Sequence, residues 1–275
     1  MKLISAELSK IFTTSMWWIF SIILVPLWAM SILANWGTAN VTSSIPADAN
    51  VDPDSAALLE VTGQAINVAT TLYTSGQFFG VLLVLLLSAI LVTNEFFHLT
   101  ATTTFLVTPH RERVILAKLA VAMLLGLGFW LITTVLNLAV APFFLRQLEL
   151  PVQLGEAGVW RAIGLNALVF VLWSVFGVGV GVLIRSQIAT TLVLSIGYLI
   201  GPLGAQAVFF LLSQNVSDVF EKLQVLEPTT ASNLLIAGTE LPGNPPRWSG
   251  AVVLIGYALI TGLIGTLIMR RRDVS

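Results

Sequence analysis

The chain reads as an all-α integral membrane protein with six transmembrane helices, and three observations predict it. First, 56% of its 275 residues are hydrophobic and only 10% are charged, where a soluble domain carries about 25% charge. Second, its mean hydropathy is +0.92, so lipid rather than water must cover most of its surface. Third, apolar runs long enough to cross about 30 Å of hydrocarbon recur along its whole length. The chain is expected to form a single transmembrane domain over 1–275 with both termini on one side.

Residues 1–14 form a short amphipathic helix. Leu3, Ile4, Leu8, Ile11 and Phe12 share an apolar face, and Lys2, Glu7 and Lys10 lie away from it. This helix is too short and too charged to span, and belongs in the interface plane. The first span is 16–36, with Trp17, Trp18 and Trp36 at its ends as interfacial anchors and Pro26 in its middle. It is too long for the 7–15-residue core of a signal peptide and reads as a retained span. Residues 37–74 are polar, carry Asp48, Asp52, Asp54 and Glu60, and contain no Lys or Arg. They belong outside, with a helix from Asp54 running on towards the second span.

The second span is 77–94. A polar, basic stretch from Glu95 to Lys118 follows, holding both histidines, His98 and His110, together with Arg111 and Arg113. The third span is 119–145 and the fourth 162–184, joined by a loop with Pro151 and Gly155 as breakers. After the tight turn Arg185-Ser186-Gln187 comes the fifth span, 188–212, interrupted at Gly201-Pro202. Residues 213–247 contain a helical stripe of Val216, Val219, Phe220, Leu223 and Leu226, ended by Pro228, and read as short interfacial helices. The sixth span, 248–269, closes on Arg270-Arg271-Arg272. Nine of the 13 Lys and Arg residues then fall on the side of the termini, which makes that side cytoplasmic.

Within these boundaries the spans contain no Asp, Glu, Lys, Arg or His. Ion-coupled transporters place such groups at midplane, because a charge there costs about 2.5–3.5 kcal/mol on the insertion scale and is kept only for a task. HExxH and GxSxG are absent, as is GxxxxGK[ST], and there are no cysteines. The chain therefore has no nucleotide-binding motif, no metal motif and no catalytic constellation of its own. Gly177 and Gly181, and again Gly197 and Gly201, form GxxxG pairs that permit close helix approach, either inside one bundle or at a seam with a second chain.

After the second span the sequence runs Glu95-Phe96, then Thr100-Ala101-Thr102-Thr103-Thr104-Phe105-Leu106, then Thr108-Pro109-His110-Arg111, and enters the third span through Arg-Val-Ile-Leu-Ala-Lys. With the order of elements, these residues resemble the permease subunit of an ATP-binding cassette (ABC) exporter of the type-two permease class, in an actinobacterial-like bacterial form. Phe97 and Leu99 depart from the family pattern, which commonly has a basic residue and a glycine there. The resemblance implies a coupling helix around 99–106 that docks on an ATPase subunit. Glu95 would stand at its start and Pro109 at its end, and contacts would come from His98, Thr100, Thr103, Thr104, Phe105, Leu106, Arg111 and Arg113. It further implies two copies of a separate ATPase subunit carrying ATP and Mg, and a second permease chain, identical or homologous. The setting implied is a bacterial inner membrane, with both termini cytoplasmic, no cofactor in this chain and no nucleic acid. An uncharged pathway suits a lipid-like, amphipathic or drug-like cargo. The rival reading is a non-transporting membrane scaffold, sensor or immunity protein.

Overall fold

A computed structural model describes residues 2–44, 53–98, 111–217, 219–240 and 244–271, apart from the side chains at 2, 53–57, 111–112 and 268–271. Among these residues every regular element is a helix: α1 (Lys2–Thr13), α2 (Met16–Ser44), α3 (Pro53–Gly63), α4 (Ala65–Tyr73), α5 (Gln77–Phe97), α6 (Arg111–Gln147), α7 (Ala157–Ile184), α8 (Gln187–Leu199), α9 (Gly201–Asn215), α10 (Val219–Lys222), α11 (Pro228–Ile236) and α12 (Arg247–Arg271). Five stretches are long and apolar enough to cross a membrane. The α8–α9 pair, bent by 45°, supplies a sixth if counted as one span. The chain thus has the make-up of a multi-pass membrane protein.

The helices outrun the apolar windows read from sequence. α2 continues to Ser44 and α6 begins at Arg111, eight residues ahead of Leu119. Hydropathy marks only the lipid-embedded stretch, whereas the i→i−4 ladder continues through any good helix former beyond it. Pro26 and Pro142 lie inside α2 and α6, as bundled membrane helices allow. The bend at Ile200 precedes Gly201-Pro202, where proline has no N–H to give the preceding turn and begins a new helix instead.

α5 is the centre of the bundle. Val84, Leu85, Ala89 and Val92 are sealed, and α7 lies on it backbone to backbone. A Cβ at Gly177 would stand 2.4 Å from the Leu85 carbonyl oxygen, and one at Gly181 would stand 2.8 Å from that of Ala89. The Gly177/Gly181 pair therefore packs within this chain. Gly179 faces the other way, where a Cβ would meet Thr261 of α12 at 2.6 Å. Positions 80, 85 and 89 meet 170, 177 and 181 in rising order, and 179 and 182 meet 261 and 265, so α5, α7 and α12 run parallel. Gly197 and Gly201 have nothing within 4 Å of an added Cβ. The α8–α9 surface beside them, with Ile188, Leu192, Ile196, Leu203 and Val208, is exposed apolar surface of the kind lipid covers.

At the end of the bundle away from α1, a break at 74–76 separates α4 from α5. Gly76 turns it with φ +82°, and a Cβ there would strike Trp28 at 2.8 Å. Asn137, buried in α6, pins the break: its Nδ2 donates to the carbonyls of Tyr73 (3.0 Å) and Ser75 (2.9 Å), and its Oδ1 accepts from Trp28 Nε1 at 2.7 Å. Carbonyls freed by the break are thereby satisfied, as the membrane interior requires. The short helices before α12 are present. Pro228, however, opens α11 as well as closing the preceding turn. Glu227 is its N-cap, accepting from Thr229 N (2.9 Å) and Thr230 N (2.6 Å).

Candidate functional site

Four charges from three elements converge at the end of the bundle that carries α1. Helical spacing places Ile4, Glu7, Leu8 and Ile11 of α1 on one stripe, and this stripe meets the inner side of the bundle. Ile11 joins the main core, with Ile4 and Leu8 packed against it. Glu7 is 2% exposed. The expectation that Glu7 points away from the apolar face is thus corrected: a carboxylate occupies the middle of that face because two cations wait for it. Phe12, expected on the same face, is 56% exposed and stacks edge-on against Trp17 with ring centroids 5.3 Å apart. Leu3 is half-buried.

The cations are Lys118, one turn into the buried part of α6, and Lys10 of α1. Lys118 Nζ stands 2.7 Å from Glu7 Oε2 and 2.9 Å from Glu95 Oε1, and also donates to the Leu91 carbonyl at 3.3 Å. Lys10 Nζ stands 2.6 Å from Glu7 Oε1 and 2.7 Å from Glu95 Oε1. Each carboxylate meets both ammonium groups, and the four formal charges cancel. Lys118 is 2% exposed, so it had to find such partners: a buried ammonium without them costs several kcal/mol. Burial alone would push the Glu7 carboxyl up. Lys118 and Lys10 more than reverse this and hold it below its ordinary value of 4.5. Burial would lower Lys10, and hydrogen bonds and charge from Glu7 and Glu95 raise it above 10.5.

Glu95 lies in the last turn of α5, where the helix dipole opposes a carboxylate. The two lysines supply what the dipole does not; the coupling helix that Glu95 is expected to precede lies outside the described residues. The ionic group is also a correction to the picture of charge-free helices. Glu95 and Lys118 sit just past the 77–94 and 119–145 windows, within the continuous helices α5 and α6. His98 follows as the exposed C-cap residue just past α5, its ring 5.0 Å from that of Phe97. Arg111 begins α6, and Arg113 is exposed on its first turn. The rest of the expected coupling helix, with Thr100, Thr103, Thr104, Phe105, Leu106 and Pro109, lies outside the described residues. Nearby, Arg185 ends α7 with φ +57° and places its guanidinium 5.5 Å from the Phe96 ring centre. The α7–α8 turn is thus tied to the same end of α5.

Two cavities flank the bundle core. One, of about 450 Å³, lies beside the charge group between α1 and α5. It has Met16, Leu87 and Ile90 on its apolar side and Asn94, Glu95 and His98 on its polar side. The other, of about 490 Å³, opens at the opposite end among α2, α4, α5 and α11. Asn35, Asn67, Thr71 and Gln77 alternate there with Met30 and Phe78, and among the described residues no charged one lines it. No cluster of metal-ligating side chains occurs among the described residues.

Sequence reasoning found Glu95 but missed its partners. The signal was present in the period of α1: the steps from Ile4 to Glu7 and from Glu7 to Ile11 put Glu7 on the buried stripe, and the hydrophobic assignment overrode it. A scan against protein-family models finds no match for this chain, and a search of curated proteins finds none.

Proposed function

We propose that the chain is the membrane-spanning permease subunit of an ATP-powered exporter of the type-two permease class, with the α1 end in the cytoplasm and ATP hydrolysed by a partner subunit. The observation that carries this reading is the charge group. Glu7, Lys10, Glu95 and Lys118 bind the interfacial helix to the ends of α5 and α6, the two helices that flank the 99–110 segment. A push delivered to that segment reaches α1, α5 and α6 as one body, because separating any one of them from the other two breaks two of the four ion pairs. Since α7 lies on α5 through glycine contacts, tilting α5 carries α7 with it.

The cleft at the other end supports the cargo class. A lining that among the described residues consists of amides, hydroxyls and apolar side chains fits a neutral or amphipathic molecule better than an ion. ATP would act by favouring one of two bundle states, through the difference in its affinity for them.

The test is co-expression with a candidate ATPase subunit from the same genome, purification of the complex and ATP hydrolysis in lipid. The reading predicts a stable complex whose hydrolysis is cargo-responsive and is lost with Thr103→Arg in the 99–110 segment. An ATPase that fails to associate, or that hydrolyses identically with this substitution, favours the scaffold reading instead.

A further inference from the structure

A second charged site lies at the end of the bundle away from α1. Because α7 and α12 run parallel and interlock through Gly179–Thr261 and Gly265–Val182, their first turns stand side by side. Each carries a tryptophan next to an arginine: Trp160-Arg161 on α7 and Arg247-Trp248 on α12. Both indoles are largely exposed, at 51% and 65%, as at the interfacial aromatic belt of a spanning bundle.

The two guanidinium groups converge on one neutral acceptor. Arg161 Nη2 donates to the Gly238 carbonyl at 3.1 Å, and Arg247 Nη2 donates to the same oxygen at 3.4 Å. That oxygen is well placed because Asn67 holds the next residue, its Oδ1 accepting from Thr239 N at 2.9 Å. Among the described residues neither arginine makes an ion pair with a carboxylate. Glu240, the acid nearest Arg247 in sequence, lies close enough to offset part of its charge and uses Oε1 to accept from the Arg247 backbone N–H at 3.3 Å. Arg247 Nε is buried with no hydrogen-bond partner. Two like charges share one carbonyl, then, with donor capacity left over, in the first turns of two helices long and apolar enough to span, and the end of a span is where a bilayer keeps its phosphates. Guanidinium is the side chain best matched to phosphate, through paired N–H···O bonds.

We propose that Arg161 and Arg247 clamp the phosphate of a membrane phospholipid between the first turns of α7 and α12, with Trp160 and Trp248 beside its glycerol region. The site recognises a phosphate oxyanion in general. The flanking indoles and the membrane depth favour the lipid over free phosphate. The inference does not depend on the transporter reading.

The test uses the full chain in detergent, titrated with short-chain phosphatidylglycerol and separately with inorganic phosphate, with bound lipid counted by native mass spectrometry. One saturable lipid per chain is expected. Its affinity should fall about tenfold to a hundredfold in R161Q/R247Q and less in R161K/R247K, since lysine keeps the charge without the fork. The single R161Q, at an exposed position, guards against a misfolded double variant and should weaken binding by itself. Millimolar inorganic phosphate should leave the lipid in place. Equal lipid binding by parent and R161Q, or no saturable lipid at all, overturns the site. Displacement of the lipid by inorganic phosphate at equal concentration overturns the lipid as its occupant.

Discussion

Lys118→Met removes the one cation of the ionic group that is sealed inside the bundle. Methionine preserves the length of the side chain and deletes three contacts: 2.7 Å to Glu7, 2.9 Å to Glu95 and 3.3 Å to the Leu91 carbonyl. Two carboxylates then face each other with only Lys10 between them, and the Lys10 side chain is 48% exposed. Breaking one side of a buried ion group costs about 3–5 kcal/mol. The cheapest relief is for α1 to lift away and hydrate Glu7, so most of this cost should appear as a shift in α1 docking. At 1.4 kcal/mol per decade the open form gains about two to three orders of magnitude. Because the chain has no cysteine, Ile11→Cys gives a single thiol on the buried face of α1. Its labelling by a charged maleimide should rise by about a hundredfold or more in the Lys118→Met background. Adding Glu7→Leu, which restores charge balance with Lys10 facing Glu95, should return most of the protection. Labelling that changes by less than about threefold would show that hydrophobic contact alone docks α1, and the reasoning from buried charge would fail.

The docking of α1 should also depend on pH, in both directions. Glu7 has a lowered carboxyl value, so its contribution is full above the ordinary 4.5 and is lost as pH falls through the lower folded value. Lys10 has a raised value, so its contribution is full below 10.5 and is lost as pH rises through the folded value. Spin labels on Ser9 and Arg113, both exposed, should report a constant short distance across neutral pH and lengthening at each extreme. Gly177→Leu should push α7 off α5, since even a Cβ meets the Leu85 carbonyl at 2.4 Å. Overpacking of that kind costs about 1–3 kcal/mol or more, read as a drop in apparent melting temperature at fixed scan rate, whereas Gly197→Ala, in open space, should be neutral or slightly stabilising. Glu227→Ala should cost about 1–2 kcal/mol through loss of the α11 cap, visible in the same melting assay. Asn137→Leu should destabilise more than Glu227→Ala, because it leaves the Trp28 N–H and the Tyr73 and Ser75 carbonyls unpaired in the membrane interior.

The positions of the spans were legible because lipid imposes a composition that soluble packing does not. The runs around 77–94 and 162–184 have no other reading. The break at Gly201-Pro202 was legible because proline chemistry is local. The ends of α2 and α6 were not, since polar residues can continue a helix without any hydropathy signal. The dual role of Pro228 was hidden for a related reason: proline both stops one helix and opens another, and Glu227 decides the second by capping it. The ionic group was only half legible. Glu95 stood out beside the Thr-rich stretch, but its partners are 85 residues away at Lys10 and 23 away at Lys118. Nothing in periodicity joins them until α1 is laid across the bundle. Arg161 and Arg247 lie 86 residues apart in sequence, and only the parallel run of α7 and α12 brings them to one carbonyl.

The most direct test of the account is ATP hydrolysis by the lipid-reconstituted complex of this chain with the ATPase subunit proposed for it, comparing parent, Lys118→Met and the exchange Glu7→Lys with Lys118→Glu. The exchange keeps four cross-pairing charges, with both cations on α1 and both carboxylates on the bundle. If the ionic group transmits the push, Lys118→Met leaves the complex assembled but removes cargo-responsive hydrolysis, and the exchange restores a substantial part of it. Full cargo-responsive hydrolysis in Lys118→Met would contradict the account, because α1, α5 and α6 would then not need to move as one body.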